Sequence, residues 1–135
     1  GVASAEEGAA PALSGTVLVV DDEPMVRDLG QAMVERLGLD TLVAADGEEA
    51  VALFRTCGAE VDCVILDLTM PKKDGLATFA ELCRLRPDVK VILSSGYSQE
   101  DIHQRLAGQG FAAFMQKPYG LEDVRRALEG VLGGG

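Results

Sequence analysis

The stretch LVVDDEP (Leu18 to Pro24) drives an apolar run into three consecutive acids. Adjacent carboxylates in a half-buried place repel one another by roughly 4 kcal/mol at 4 Å and an effective dielectric near 20, so a cation has to make the arrangement tolerable. Asp67 ends a second apolar run, VDCVILDL; Ser94 and Ser95 end a third, VKVILSS; Lys117 ends a fourth, FAAFMQK. Hard carboxylate oxygens suit Mg²⁺, which takes one or two carboxylates, keeps several waters and is completed by phosphate oxygens. An aspartate beside such a metal can act as a carboxylate nucleophile toward phosphorus. The cation, a lysine ammonium and a hydroxyl would then meet the charge developing on the phosphoryl oxygens.

Each residue also has a plain explanation. Asp22 or Glu23 could only cap the helix opening at Pro24. Asp67 could be a solvated loop residue, Ser94 and Ser95 could be turn residues before Gly96, and Lys117 could snorkel from a strand end. Four independent coincidences would then have placed three acids, a hydroxyl and an amine at the ends of four apolar runs.

The elements that position these residues follow from hydrophobic period. TVLVV (Thr16 to Val20), TLVAA (Thr41 to Ala45), VDCVILDL (Val61 to Leu68), VKVILSS (Val89 to Ser95) and FAAFMQK (Phe111 to Lys117) read as strands, and the first is apolar enough to be covered on both faces. Between them lie helical patterns. Met25, Leu29, Ala32, Met33 and Leu37 are spaced for the buried face of a helix over Pro24 to Leu37, with Pro24 in the first turn and Gly38 after the end. Asp46 and Glu49 resemble a capping box ahead of a helix burying Ala50, Val51, Leu53 and Phe54. A third helix runs from about Leu76 to Leu85, Ser98 and Asp101 cap a fourth ending near Gly108, and Leu121, Val124, Leu128 and Val131 mark a fifth. Repeated βα units with right-handed crossovers make an open, doubly wound α/β sheet, whose ligands sit outside the carboxyl ends of the strands. All the reactive candidates collect at that mouth.

The 135 residues fit one domain, with 1–15 (GVASAEEGAAPALSG) as a flexible tail or linker, 16–132 folded and 133–135 a loose end. A net charge of −10 and a pI near 4.4 disfavour nucleic acid or an anionic membrane as the main partner. Cys57, Cys63 and Cys83 make no C-x-x-C pair and leave one thiol over, which points to a reducing, cytoplasmic compartment. No apolar stretch approaches the ~20 residues of a bilayer span, although a longer parent protein could carry an anchor.

In order and spacing, VLVVDDEP, VILDLTMPKKDG, VILSSGYS and FMQKPY resemble the receiver domains of two-component response regulators, over about Thr16 to Leu132. The resemblance implies a (βα)5 flavodoxin-like fold with strand order 2-1-3-4-5 and assigns roles residue by residue. Asp67 is the phosphoacceptor. Asp21, Asp22, Asp67 and the backbone carbonyl of Thr69 hold Mg²⁺. Ser95, followed by small Gly96, meets the phosphoryl group, and Ser94 is the weaker claimant. Lys117 pairs with the phosphoryl oxygens, ahead of Pro118 in a bond that is commonly cis in the family. Phe114 is the aromatic switch partner of Ser95 but lacks a phenol, while Thr69 and Tyr97 flank the site and set access for water.

A histidine kinase or histidine phosphotransfer protein is the implied donor, and a downstream protein the target. SGYS followed by QKPY is closer to the receivers of hybrid sensor histidine kinases than to those of transcription regulators; a single-domain regulator is the main alternative. His103 reads as a surface residue. From other classes, a docking module that is never phosphorylated remains open. An Mg²⁺-dependent aspartyl phosphatase fits less well because Thr69 stands where a second acid would, and a nucleotide-binding flavodoxin-like domain lacks its glycine-rich loop.

Overall fold

The computed structural model describes residues 13–68, 75–98, 100–102 and 110–133. Five parallel strands, β1 (Thr16–Val20), β2 (Asp40–Ala44), β3 (Cys63–Asp67), β4 (Val91–Ser95) and β5 (Ala113–Gln116), form one sheet in the order β2-β1-β3-β4-β5. Helices α1 (Pro24–Arg36), α2 (Gly47–Cys57), α3 (Gly75–Leu85), α4 (100–102) and α5 (Leu121–Leu128) alternate with them, and a π-turn (Glu129–Gly133) follows α5. This is the doubly wound α/β sheet expected from the apolar runs, in the flavodoxin-like order that the resemblance implies.

Pairing in register brings the polar strand ends level. Val20 lies beside Ala44 and Leu66, Asp67 beside Ser94, and Ser95 beside Gln116, one residue before Lys117. β1, β3 and β4 bury nearly every residue, as strands covered on both faces must. Alternation sends Leu18, Val20, Val64, Leu66 and Leu93 to one core with Phe54, Phe79, Leu82 and Ile102 of α2 to α4. Val17, Val19, Ile65, Ile92 and Met115 go to the other, with Met33 and Val34 of α1 and Val124 and Leu128 of α5. Leu13 packs against this second core, and the Gly15 carbonyl accepts the Asp40 N–H at 2.9 Å.

Local differences from the expected elements have identifiable causes. The strands β3, β4 and β5 are shorter than their apolar runs because Val61, Val89 and Phe111 pack from connections rather than from the ladder. Asp46 caps α2 by accepting the Glu49 N–H at 2.8 Å, but Glu49 reaches back to the Ala45 N–H, one residue earlier than a capping box. The larger correction concerns α1. Its buried residues are Gly30, Met33 and Val34, whereas Met25 is 85% and Leu29 57% exposed and Ala32 also faces outward. An apolar stripe at helical spacing does not say whether it meets the core, and here the core face is rotated away from Met25 and Leu29.

Candidate functional site

The site is built where β1, β3, β4 and β5 end. The chain passes from Val20 into Asp21, whose N–H donates to the Ala44 carbonyl at 3.2 Å, so the acid is fixed to the sheet before the turn begins. Its Oδ1 accepts the Glu23 N–H at 3.0 Å, which closes the turn into α1. Glu23 is the cap residue of α1 but makes no side-chain cap, so Asp22 and Glu23 are not there to cap the helix. Arg27, one turn into α1, donates Nη1 to the Asp21 carbonyl at 2.9 Å and clamps the turn from the other side.

Asp67 is the last residue of β3 and is buried to 1% exposure. Its enclosure depends on Gly75, the first residue of α3, whose N–H donates to the Leu68 carbonyl at 3.2 Å. A Cβ at Gly75 would lie 2.3 Å from Leu68 Cα and 2.5 Å from the Asp67 carbonyl oxygen. Only glycine lets α3 come this close to the backbone at the end of β3.

Lys117 reaches into the mouth from the end of β5, its N–H held by the Ser95 carbonyl at 2.8 Å. Its Nζ lies 3.0 Å from Asp21 Oδ2 and 3.2 Å from Asp67 Oδ2. Burial pulls the ammonium pKa down, but the Asp21 hydrogen bond and the charges of Asp67 and Asp21 hold it above its ordinary value. Both acids are at most 2% exposed, so the contact forms where water screens little. The Lys117–Pro118 peptide is cis.

Asp21, Asp22 and Asp67 each bring a carboxylate oxygen within 4.8 Å of the others. Among the described residues, one ammonium faces three hard oxygen donors there, an excess of negative charge. That donor set fits Mg²⁺.

Ser95 is fully buried, and its Oγ accepts the Tyr97 N–H at 3.0 Å. Ser94 is buried beside Asp67 in the ladder, where its carbonyl accepts the Leu68 N–H at 3.0 Å. A Cβ at Gly96 would meet nothing within 4 Å, and Tyr97 is 49% exposed, so the approach past β4 is open. Phe114 is already half-buried against the α2–α4 core. Thr69 and His103 lie outside the described residues. The expected cluster of Asp21, Asp22, Asp67 and Lys117 is therefore brought together, with Ser95 on the adjacent strand end. Arg27, Gly30, Gly75 and Tyr119 carried no signal pointing to the site, because their partners are distant in sequence or are backbone atoms.

The family model of the response regulator receiver domain matches residues 17–129. The chain is 34% identical over 119 residues to the sensor kinase CckA of Brucella abortus, covering 88% of this chain and 13% of that protein. It is 33% identical over 115 residues to the probable C4-dicarboxylate response regulator DctR of Bacillus subtilis, covering 84% of this chain and 50% of that one. The chain thus spans half or less of the length of these relatives. Among solved structures it resembles CheY in the CheX–CheY–BeF3–Mg²⁺ complex of Borrelia burgdorferi, with a TM-score of 0.82 and 29% identity over 87% of this chain and 88% of that one. The response regulator TrrA of Thermotoga maritima, solved with Mg²⁺ and BeF, gives a TM-score of 0.74 and 30% identity over 87% and 99%. The parallel sheet in this order, with acids and a lysine at its carboxyl rim, agrees with that family. The chain belongs to the response regulator receiver domains of two-component systems.

Proposed function

We propose that this domain takes a phosphoryl group from a phosphohistidine onto Asp67. The observation that carries the reading is the Lys117 ammonium set between Asp21 and Asp67 at a rim where three carboxylates converge. A carboxylate oxygen of Asp67 attacks phosphorus; the new O–P bond forms as the N–P bond breaks. The electron pair returns to the imidazole nitrogen, which picks up a proton from water. Lys117 turns from pairing with Asp67 to pairing with the oxygens of the acyl phosphate, and Ser95 donates its hydroxyl to another. Asp21, Asp22, Asp67 and the Thr69 carbonyl would hold Mg²⁺, which when bound neutralises the acids and the phosphoryl oxygens together. Water attacking phosphorus then breaks the O–P bond, releases inorganic phosphate and restores the carboxylate, with Thr69 and Tyr97 setting its access.

A turn of Ser95 toward the phosphoryl group moves the Oγ that accepts the Tyr97 N–H, so the reaction pulls on the loop after β4. Together with repacking of Phe114, this shifts the surface around α4, β5 and α5 read by a downstream protein. The donor is a histidine kinase or a histidine phosphotransfer protein; exposed Met25 and Leu29 beside the rim offer it apolar area to bury. The similarity to CckA supports an origin in a hybrid sensor kinase working on the cytoplasmic side. No helix among the described residues is long and apolar enough to cross a membrane.

Incubation with acetyl phosphate and Mg²⁺, followed by intact mass measurement, tests the reading. One acid-labile phosphoryl group should appear and should be lost in Asp67→Asn. No mass gain would leave a docking module, and many turnovers without a stable adduct would indicate a phosphatase.

A further inference from the structure

Gly30 sits in the interior of α1, where glycine costs about 1 kcal/mol relative to alanine. Positive φ does not explain it, since among the described glycines only Gly15 and Gly38 take that conformation. Space does. A Cβ at Gly30 would lie 3.3 Å from the Tyr119 hydroxyl oxygen and 3.3 Å from Val19 Cγ1, tighter than ordinary contact. Tyr119 is half-buried, packs with the α1–α5 core and lines a cleft of about 320 Å³ with Val26, Leu29, Met33, Lys117 and Pro118.

The turn from Lys117 to α5 has few other anchors. Its start is held by the Lys117 N–H on the Ser95 carbonyl, and its end by the Gly120 N–H on Asp123 Oδ2 at 2.8 Å. Pro118 and Gly120 are exposed, so Tyr119 is the side chain of residues 118–120 that seats the turn on α1. We propose that Tyr119, admitted by the missing side chain of Gly30, is a positioning residue that fixes Lys117 between Asp21 and Asp67. The ring does the seating; the hydroxyl only requires the gap. This deepens the reading above and rests on it where phosphorylation is concerned.

The test compares Tyr119→Ala, Tyr119→Phe, Gly30→Ala and the double variant Gly30→Ala with Tyr119→Phe, with thermal melts identifying the folded proteins. Two readouts are taken: the ¹⁵N resonance of Lys117 Nζ in the resting protein, and the rate of Asp67 labelling by acetyl phosphate with Mg²⁺. Tyr119→Ala and Gly30→Ala should move the Lys117 resonance and slow labelling by about 10–100-fold, the usual scale for a misplaced reacting group. Tyr119→Phe should keep both near wild type, and in the double variant the phenylalanine should recover much of the loss caused by Gly30→Ala. A folded Tyr119→Ala with an unchanged Lys117 resonance overturns the proposal, as does a Gly30→Ala defect that Tyr119→Phe leaves untouched. If Tyr119→Ala does not fold, the Gly30→Ala pair decides. If wild type accepts no phosphoryl group, the phosphotransfer reading fails while the Lys117 resonance still decides this one.

Discussion

Lys117 stands nearer to Asp21, at 3.0 Å, than to Asp67, at 3.2 Å. The lysine therefore belongs to Asp21 as much as to Asp67. Replacing it with methionine should leave Asp21 and Asp67 buried without their shared counter-charge and destabilise the fold by about 1–3 kcal/mol in the absence of divalent cations. Mg²⁺ should recover part of that loss. Urea denaturation with and without Mg²⁺ measures it; equal destabilisation in both conditions contradicts the shared-charge account.

The three acids outnumber the ammonium, so removing one relieves repulsion. Asp22 is half-buried and is not used as a helix cap. Asp22→Ala should therefore raise the melting temperature by a few degrees without Mg²⁺ and abolish most of the stabilisation that Mg²⁺ gives wild type. Thermal melts across a Mg²⁺ titration check both halves.

At high pH two groups act together. Lys117 is held above its ordinary value, and burial, then the charge of Asp21, pushes the Tyr119 phenol up to about 12. For both, the folded-state pKa is raised, so their contribution is complete below the unfolded values and is lost as pH climbs through the folded ones. Stability should fall over about pH 10 to 12. In a Tyr97→Phe background the remaining phenolate absorbance should rise near pH 12. A midpoint at the free-tyrosine value would contradict the buried setting of Tyr119.

The parallel pairing of the strands and the gathering of Asp21, Asp22, Asp67, Ser95 and Lys117 at one edge were legible in the sequence, while the order of strands came from the family resemblance. β1, β3 and β4 read as continuous apolar runs because they are covered on both faces, and strand ends in a parallel sheet share one edge. The face of α1 was misread because Met25 and Leu29 keep helical spacing while facing solvent, and the true core face contains Gly30, which no hydrophobicity pattern marks. Arg27 was missed because its acceptor is a backbone carbonyl, and Tyr119 because its partner on α1 lies far away along the chain.

Arg27 gives its own expectation. Loss of its hydrogen bond to the Asp21 carbonyl in Arg27→Met should cost about 1–2 kcal/mol and loosen the turn carrying Asp21 and Asp22. Mg²⁺ affinity measured by calorimetry should drop several-fold. Unchanged affinity in a folded variant would mean that the clamp does not hold the acids.

Gly75→Ala should be tolerated poorly. The added methyl meets backbone rather than a movable side chain, so α3 must retreat from β3 at about 1–3 kcal/mol. The denaturant midpoint should fall, and acetyl phosphate labelling of Asp67 should slow with it. A variant as stable as wild type would show that α3 has room that the structure denies it.

The sheet keeps its two cores apart, with Phe114 on the side of α2 to α4 and Met115 on the side of α1 and α5. The rim chemistry is thus shared between two walls that scarcely touch one another. On the phosphotransfer proposed above, sequence drift on the wall beside α1 can retune the donor while leaving the opposite wall, and whoever listens there, unaltered.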